Sequence, residues 1–269
     1  MKRKVKKIPV LFTFIILIGL VFGCLYFFKE YFKKEIKTEK PTELEKEEIK
    51  KFEWSMTIAG NVLVNSNMWF DTMNSNGTYD FDYVFDGIKD KVKTSNINFY
   101  SQQSVLGGKT LGESLNYTYN SPTDVFDSLN KLGFNAVSLA SSQSFDKGIA
   151  GITSTIDYIT SKNTIYSGVS NSEENRLTNN ISTKSNIRYG LLSYTMGTDT
   201  TLTNPYLVNV YTDDLVKNDI ESLKNNVDII IVSIDWSNIT SYEITLEQSR
   251  IANYLAGLGV SIIIGNTGY

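Results

Sequence analysis

The chain has 269 residues, 41% hydrophobic and 20% charged, with a net charge of −3, one cysteine and no histidine. A single cysteine excludes an intrachain disulfide and any multi-cysteine metal site, and the lack of histidine excludes His-dependent triads and imidazole-ligated metals. Residues 1–52 carry 13 basic and 7 acidic side chains while residues 53–269 carry 13 and 22, so the larger part is acidic and has no general attraction for nucleic acid.

The N-terminus begins with a basic cluster, Lys2, Arg3, Lys4, Lys6 and Lys7. Ile8 to Phe28 follows without a charge, and its 21 residues correspond to roughly 30 Å of helix, the thickness of a bilayer's hydrocarbon core. The pattern predicts a cytoplasmic tail over 1–7, a single transmembrane helix over 8–28 and a charged stalk over 29–52, with the remainder outside the cell membrane. Lys29, Lys33, Lys34, Lys37 and Lys40 balance the basic count on the far side, so the compact N-terminal cluster sets the orientation. Val21-Phe22-Gly23-Cys24 resembles a lipoprotein cleavage box, but bulky Phe22 and the apolar run after Cys24 fit an uncleaved span better. In the stalk, Thr42 with Glu45 reads as a capping box and Glu47 with Lys51 as a helical pair.

From residue 53 onward, short β-branched runs alternate with helical periods, the signature of an α/β layer architecture. Strands are predicted at 55–59, 97–100, 136–140, 165–168, 187–194, 228–234 and 260–264, and helices at 81–92, 122–132, 151–161, 213–224 and 246–258. Ser121 before Pro122 predicts an N-cap with proline in the first turn, and Gly133 and Gly259 sit where left-handed C-caps are wanted. The runs at 228–234 and 260–264 are too continuously apolar for a one-sided sheet and predict strands covered on both faces. Ligand crevices in open α/β sheets form past the carboxyl ends of strands. The segments there are Gly60-Asn61, Ser101-Gln102-Gln103, Ala140-Ser141-Ser142-Gln143-Ser144-Phe145-Asp146-Lys147-Gly148, Asp235-Trp236-Ser237 and Gly265-Asn266-Thr267-Gly268-Tyr269.

Together with Tyr79-Asp80-Phe81, Gly133-Phe134-Asn135, Tyr166-Ser167-Gly168 and Asp228-Ile229-Ile230-Ile231, these stations resemble the CapA/PgsA capsule-synthesis family over Trp54 to Tyr269. The resemblance implies a four-layered calcineurin-like metallophosphoesterase sandwich, tethered to the membrane by the N-terminal helix and associated with poly-γ-glutamate capsules. The corresponding family stations read Gly-Asp, Asn-x-Glu, Ala-Asn-Asn-His-x-x-Asp-x-Gly, His-Trp-Gly and Gly-His-His-Pro-His. This chain places Asn61, Ser101 and Gln103, Ser141, Ser142 and Gln143, Asp235, and Asn266 and Thr267 at the metal-site positions. The family also continues past its last station with further sheet, so the resemblance implies either a fragment of a longer chain or an incomplete domain, and in the second case 260–264 would form an edge without its covering elements.

Two-metal phosphoesterases need carboxylates and imidazoles to hold paired cations and activate a bridging water. Neutral Asn, Gln, Ser and Thr bind such ions poorly. The substitutions therefore predict no catalytic residue, no transition-metal site and no cofactor. Asp146 and Asp235 are the candidates for a residual polar site, limited to weak oxygen coordination of Mg or Ca. The bland readings favour Asp146 as a turn residue before Gly148 and Asp235 as a solvated loop carboxylate. Ser141, Ser142 and Ser144 lack a base other than Lys147, and Gly107-Gly108 and Gly265-x-x-Gly268 lack the spacing of a phosphate loop. Tyr117, Tyr119 and Trp236 are read first as packing residues and second as a polymer-binding cleft.

The resulting expectation is a membrane-anchored pseudoenzyme of capsule or envelope polymer biosynthesis. Its partners would be the membrane, a capsule or cell-wall polymer and other capsule-synthesis membrane proteins. The rival expectations are a divergent metal-dependent hydrolase or transferase acting on polyglutamate or a phosphoester, and a structural surface protein.

Overall fold

The computed structural model describes residues 10–35, 53–178, 180–237 and 243–266. The chain divides into two units, Met1–Lys51 and Phe52–Tyr269.

The first unit contains helix α1, Val10–Glu35, 26 residues long. It runs past Phe28 into the predicted stalk. Its described side chains, 17–33, are exposed. Among the described residues no helix is long and apolar enough to cross a membrane. Those side chains include Lys29, Glu30 and Lys33, whereas the uncharged run begins earlier, at Ile8. The predicted tail over 1–7 and the capping pair in the stalk lie outside the described residues.

The second unit holds two four-stranded sheets. The first has the order β1-β2-β3-β4, with β1 at Met56–Val62, β2 at Ile97–Gln102, β3 at Ala136–Ser138 and β4 at Ile165–Ser167, all parallel. The second has the order β5-β6-β7-β8, with β5 at Ile181–Lys184 antiparallel to β6 at Ile187–Thr195, then β7 at Ile229–Asp235 and β8 at Ile262–Asn266 in parallel. The helices are α2 at Ser66–Thr72, α3 at Lys89–Val92, α4 at Asp124–Leu132, α5 at Gly148–Ser161, α6 at Asp213–Leu223 and α7 at Leu246–Gly257.

Three separate cores follow from strand alternation, because successive side chains point to opposite faces. Tyr100 and Val137 face outward and pack with Val125, Phe126 and Leu129 of α4 and Ile152, Ile156 and Ile159 of α5. Leu192, Tyr194, Ile230, Val232 and Ile234 pack with Val216, Ile220 and Leu223 of α6 and Ile251 and Leu255 of α7. Ile97, Phe99, Ala136 and Ile165 of the first sheet meet Tyr189, Leu191, Ile231 and Ile264 of the second. The layers thus run helix, sheet, sheet, helix. Burial on both faces explains the unbroken apolar reading of β7. β8 is equally apolar although it lies at an edge of its sheet.

Several local expectations are corrected. The predicted helix over 81–92 is a 3-10 helix at Asp82–Ile88 running into α3. α4 starts at Asp124 after Thr123, and Ser121 instead shares a hydroxyl bond of 2.6 Å with Ser104. Three elements are new: α2, capped by Asn65 accepting from the Met68 N–H, a 3-10 helix at Gly108–Leu111, and β5, joined to β6 through Ser185 and Asn186 at φ 50° and 64°. Paired positive φ angles are those of a hairpin turn whose twist matches its strands. Gly133 and Gly259 adopt the expected positive φ, at 120° and 92°.

Candidate functional site at the strand ends

The space between the sheets changes character along the strands. The inward positions are apolar near the strand starts, and they become Asn61, Ser101, Ser138, Ser167, Ser193, Thr195, Ser233, Asp235 and Asn266 at the carboxyl ends. Register places these residues side by side: Asn61 opposite Ser101, Ser101 opposite Ser138, Ser138 opposite Ser167, Ser193 opposite Ser233, and Asp235 between Thr195 and Asn266. Asn61 reaches this row because β1 carries an irregularity between Ile58 and Asn61, which resets its register on β2. β1 therefore continues through Asn61 rather than ending before it.

Hydrogen bonds tie the row to the loops above it. Gln103 donates its amide to Ser101 Oγ at 3.0 Å, and Ser141 Oγ donates to the Gln103 carbonyl at 2.5 Å. The Gln143 N–H donates to Ser141 Oγ at 3.2 Å, and the Ser142 N–H donates to Asp235 Oδ2 at 3.2 Å. Asn266 donates its amide to Ser233 Oγ at 2.7 Å, and its carbonyl accepts from the Trp236 N–H at 2.8 Å. Asn61, Ser101, Gln103, Ser141, Ser142, Gln143, Asp235 and Asn266 thus converge on one patch. Thr267 lies outside the described residues.

Asp235 is not a solvated loop carboxylate: it closes β7 and is 1% exposed. Besides Ser142 it accepts from the Ser237 N–H at 3.1 Å and from Thr195 Oγ1 at 3.3 Å. Burial pushes its pKa up, the three donors pull against that, and the nearby Asp199 charge adds to the rise. Ser237 holds φ 53° to make its bond.

Asp146 lies in the turn before Gly148, but its carboxylate holds neither that turn nor the start of α5 and instead accepts from the distant Tyr119 N–H at 2.7 Å. Burial raises its pKa to about 6, opposed by that bond and reinforced by Asp199. The folded state then holds its proton more tightly than the unfolded chain, whose value is 3.8, so Asp146 subtracts stability as pH rises from about 4 to about 6. Asp146→Asn keeps an acceptor for Tyr119 and removes the titration. The unfolding free energy of Asp146→Asn from urea denaturation should therefore gain on wild type across that interval, by on the order of 2 kcal/mol at pH 7. A constant difference between the two proteins from about pH 4 to about pH 7 would contradict this.

Beside the patch lies a cavity of about 380 Å³ whose walls include Ser142, Gly197, Asp199, Trp236 and Ser237. Trp236 belongs to the outer core of the second sheet, and its indole lies against Gly265, where an added Cβ would sit 2.6 Å from Nε1. Of the three aromatics predicted as a cleft, only Trp236 reaches this cavity; Tyr117 stands fully exposed at φ 60°. Sequence reasoning missed Thr195 and Asp199, and quoted Ser237 only within the Asp235-Trp236-Ser237 station without a role. The signal that could have found the first two was the end of β6, Thr195-Met196-Gly197-Thr198-Asp199, a strand end left unread.

A family model described as bacterial capsule synthesis protein PGA_cap matches residues 55–268. The chain belongs to that family. No curated protein matches it. The match covers nearly all of the second unit, so PGA_cap membership rests on the domain that carries the polar patch.

The donors of this PGA_cap domain do not fit a two-metal centre. Asp235 already accepts three hydrogen bonds, the hydroxyls of Ser141 and Ser144 are committed to the Gln103 and Leu139 carbonyls, and Gln103 and Asn266, whose NH2 groups are bonded to serines, offer only neutral carbonyl oxygens. Among the described residues no three acidic, cysteine or histidine side chains are grouped to hold a metal ion. A dication needs several unencumbered anionic oxygens to replace its water. The serines fare no better as nucleophiles, because the Ser141 and Ser144 bonds lead to backbone carbonyls and to each other rather than to a base.

Proposed function

We propose that this capsule-synthesis protein is a non-catalytic member of its family, acting in binding or assembly of a capsule or envelope polymer. The carrying observation is the inward row at the strand ends, where neutral hydroxyls and amides, some bonded to one another and some, such as Ser138 and Ser193, without a partner, surround a single carboxylate, Asp235. A hydrolytic centre would need free anionic ligands at that row. The proposal extends to the fold, read as a calcineurin-like metallophosphoesterase sandwich on the strength of its helix-sheet-sheet-helix layering and strand-end patch. It also extends to location: a single-pass anchor over Ile8–Phe28, resting on the uncharged run of the sequence, with the acidic domain outside the membrane.

Metal analysis of the purified full-length protein, followed by hydrolysis of a chromogenic phosphodiester with added manganese or zinc, tests the reading. The expected result is well under one metal per chain and no turnover above a boiled control. Two tightly bound transition metals per chain accompanied by turnover would overturn it.

A further inference from the structure

At the opposite end of the sandwich, near the starts of β3, β4 and β6, lies a second cavity of about 260 Å³. Its walls include Asn135, Thr164, Ser182, Lys184 and Tyr189, with no Asp or Glu among them. That composition is unusual in a part of the chain carrying 22 acidic against 13 basic side chains. The antiparallel pairing sets Ser182 directly opposite Tyr189, and alternation brings Lys184 to the same face of β5 as Ser182. Hydroxyl, phenol and ammonium therefore share the wall of this cavity.

Tyr189 is 1% exposed, and its Oη has no hydrogen-bond partner. The Ser182 hydroxyl interacts with it and favours the ionised form, but no hydrogen bond of normal geometry closes between them. Burial nevertheless dominates and raises its pKa, which keeps the phenol protonated and able to donate. Asn180 precedes Ser182 by two residues on the same face, and both polar atoms of its buried amide are also without partners. Thr164, 2% exposed, accepts from the Asn130 amide at 3.0 Å and retains its own proton to give. Buried polar groups are nearly always paired, so an orphaned phenol at a cavity wall asks for an acceptor.

We infer that this cavity binds a small oxyanion, a carboxylate or a phosphate, held by the Tyr189 and Thr164 hydroxyls and the Lys184 ammonium. All three supply donors, as an anion requires, and the volume lies just below that of sites for drug-sized ligands, which limits the occupant to a small molecule or a single group. The site is independent of the strand-end patch and of its proposed loss of catalysis.

The test is the thermal midpoint of the full-length protein titrated with inorganic phosphate, with acetate, and with chloride at matched ionic strength. A ligand that binds only the folded state raises the midpoint in a saturable way. Phosphate, acetate or both should do so while chloride does not, and the arm that responds identifies the anion. Tyr189→Phe should weaken binding at least about 10-fold, as loss of a hydrogen bond to a charged group does, and Lys184→Gln should weaken it several-fold. The Tyr189→Phe protein should itself fold, since it loses only an unpaired hydroxyl; if it does not, exposed Lys184→Gln carries the comparison. No saturable response to either anion, or unchanged binding in the variants, overturns the inference.

Discussion

Arg176→Ala is expected to lower the stability of the domain by about 3–5 kcal/mol, the range found when one partner of a buried ion pair is removed. Arg176 grips Asp219 of α6 through both guanidinium ends, one contact measuring 2.7 Å, and the Asp219 side chain is only 1% exposed. Tyr194 of β6 donates to the same carboxylate at 2.7 Å, and burial together with the adjacent Asp219 charge drives its phenol pKa well up. Removing the guanidinium leaves the carboxylate in an apolar layer between α6 and β6, where the Tyr194 hydroxyl alone cannot balance a full charge. Two neighbouring changes separate the causes. Tyr194→Phe should cost only about 1.5–3 kcal/mol, the usual worth of a hydrogen bond to a charged group. The double replacement Arg176→Met with Asp219→Leu should recover much of the loss, because apolar substitution of a whole buried pair is often neutral. Urea denaturation of the three variants decides it, and an Arg176→Ala loss under about 1 kcal/mol would mean that the pair is effectively solvated.

That pair illustrates what was hidden in the sequence. Arg176 lies in a stretch without helical or strand period, 43 residues from Asp219, and nothing in the local pattern joins them. Strands were legible where both faces are buried, as in Ile229-Ile230-Ile231-Val232, since an unbroken β-branched run this short suits a doubly covered strand far better than a helix. β5 was missed because Ile181-Ser182-Thr183-Lys184 is polar, mostly exposed and held by pairing to β6 rather than by its own hydrophobicity. α2 was missed because seven residues offer too little period to stand out, and its signal was the Asn65 cap.

The candidate site was half legible. The strand-end stations named eight of the residues that converge, and the match over residues 55–268 agrees with the family read from those stations. Inward Ser138, Ser193 and Ser233 were invisible, and Ser167 was read only as part of the family frame, because motif reasoning looks for ligands, and a serine inside a strand carries no such signal. Their meaning comes from register: once the strands are aligned, the apolar interior of the sandwich turns polar along a single line. Asp235 was misjudged for the same reason. A carboxylate read at the end of an apolar run suggests a loop, whereas parallel pairing to both Thr195 and Asn266 keeps it inside the sheet.

Gly168→Ala is expected to cost at least about 3 kcal/mol, combining backbone strain with a direct clash. Gly168 follows β4 at φ 116°, a conformation that disfavours any side chain. A Cβ there would lie 2.4 Å from the Ala140 backbone nitrogen and 2.7 Å from its Cβ. Neither atom belongs to a flexible side-chain end, so relief requires moving the chain that leads directly into Ser141 and Ser142. The opposite side is also fixed, because the Gly168 carbonyl accepts from the Asn209 N–H at 2.8 Å and the Ser167 carbonyl from the Leu139 N–H at 2.8 Å. Displacement should therefore be transmitted to the Ser142 N–H that holds Asp235, loosening the patch as well as the fold. Gly60→Ala is the control, since no atom lies within 4 Å of a Cβ at that position and its φ is not positive. Thermal denaturation should show a large fall for Gly168→Ala and little change for Gly60→Ala, and hydrogen exchange should show faster opening of the Ser142 amide in the former. Equal midpoints for the two variants would show that the β3 and β4 ends can separate freely, and the tight junction inferred beneath the strand-end patch would not exist.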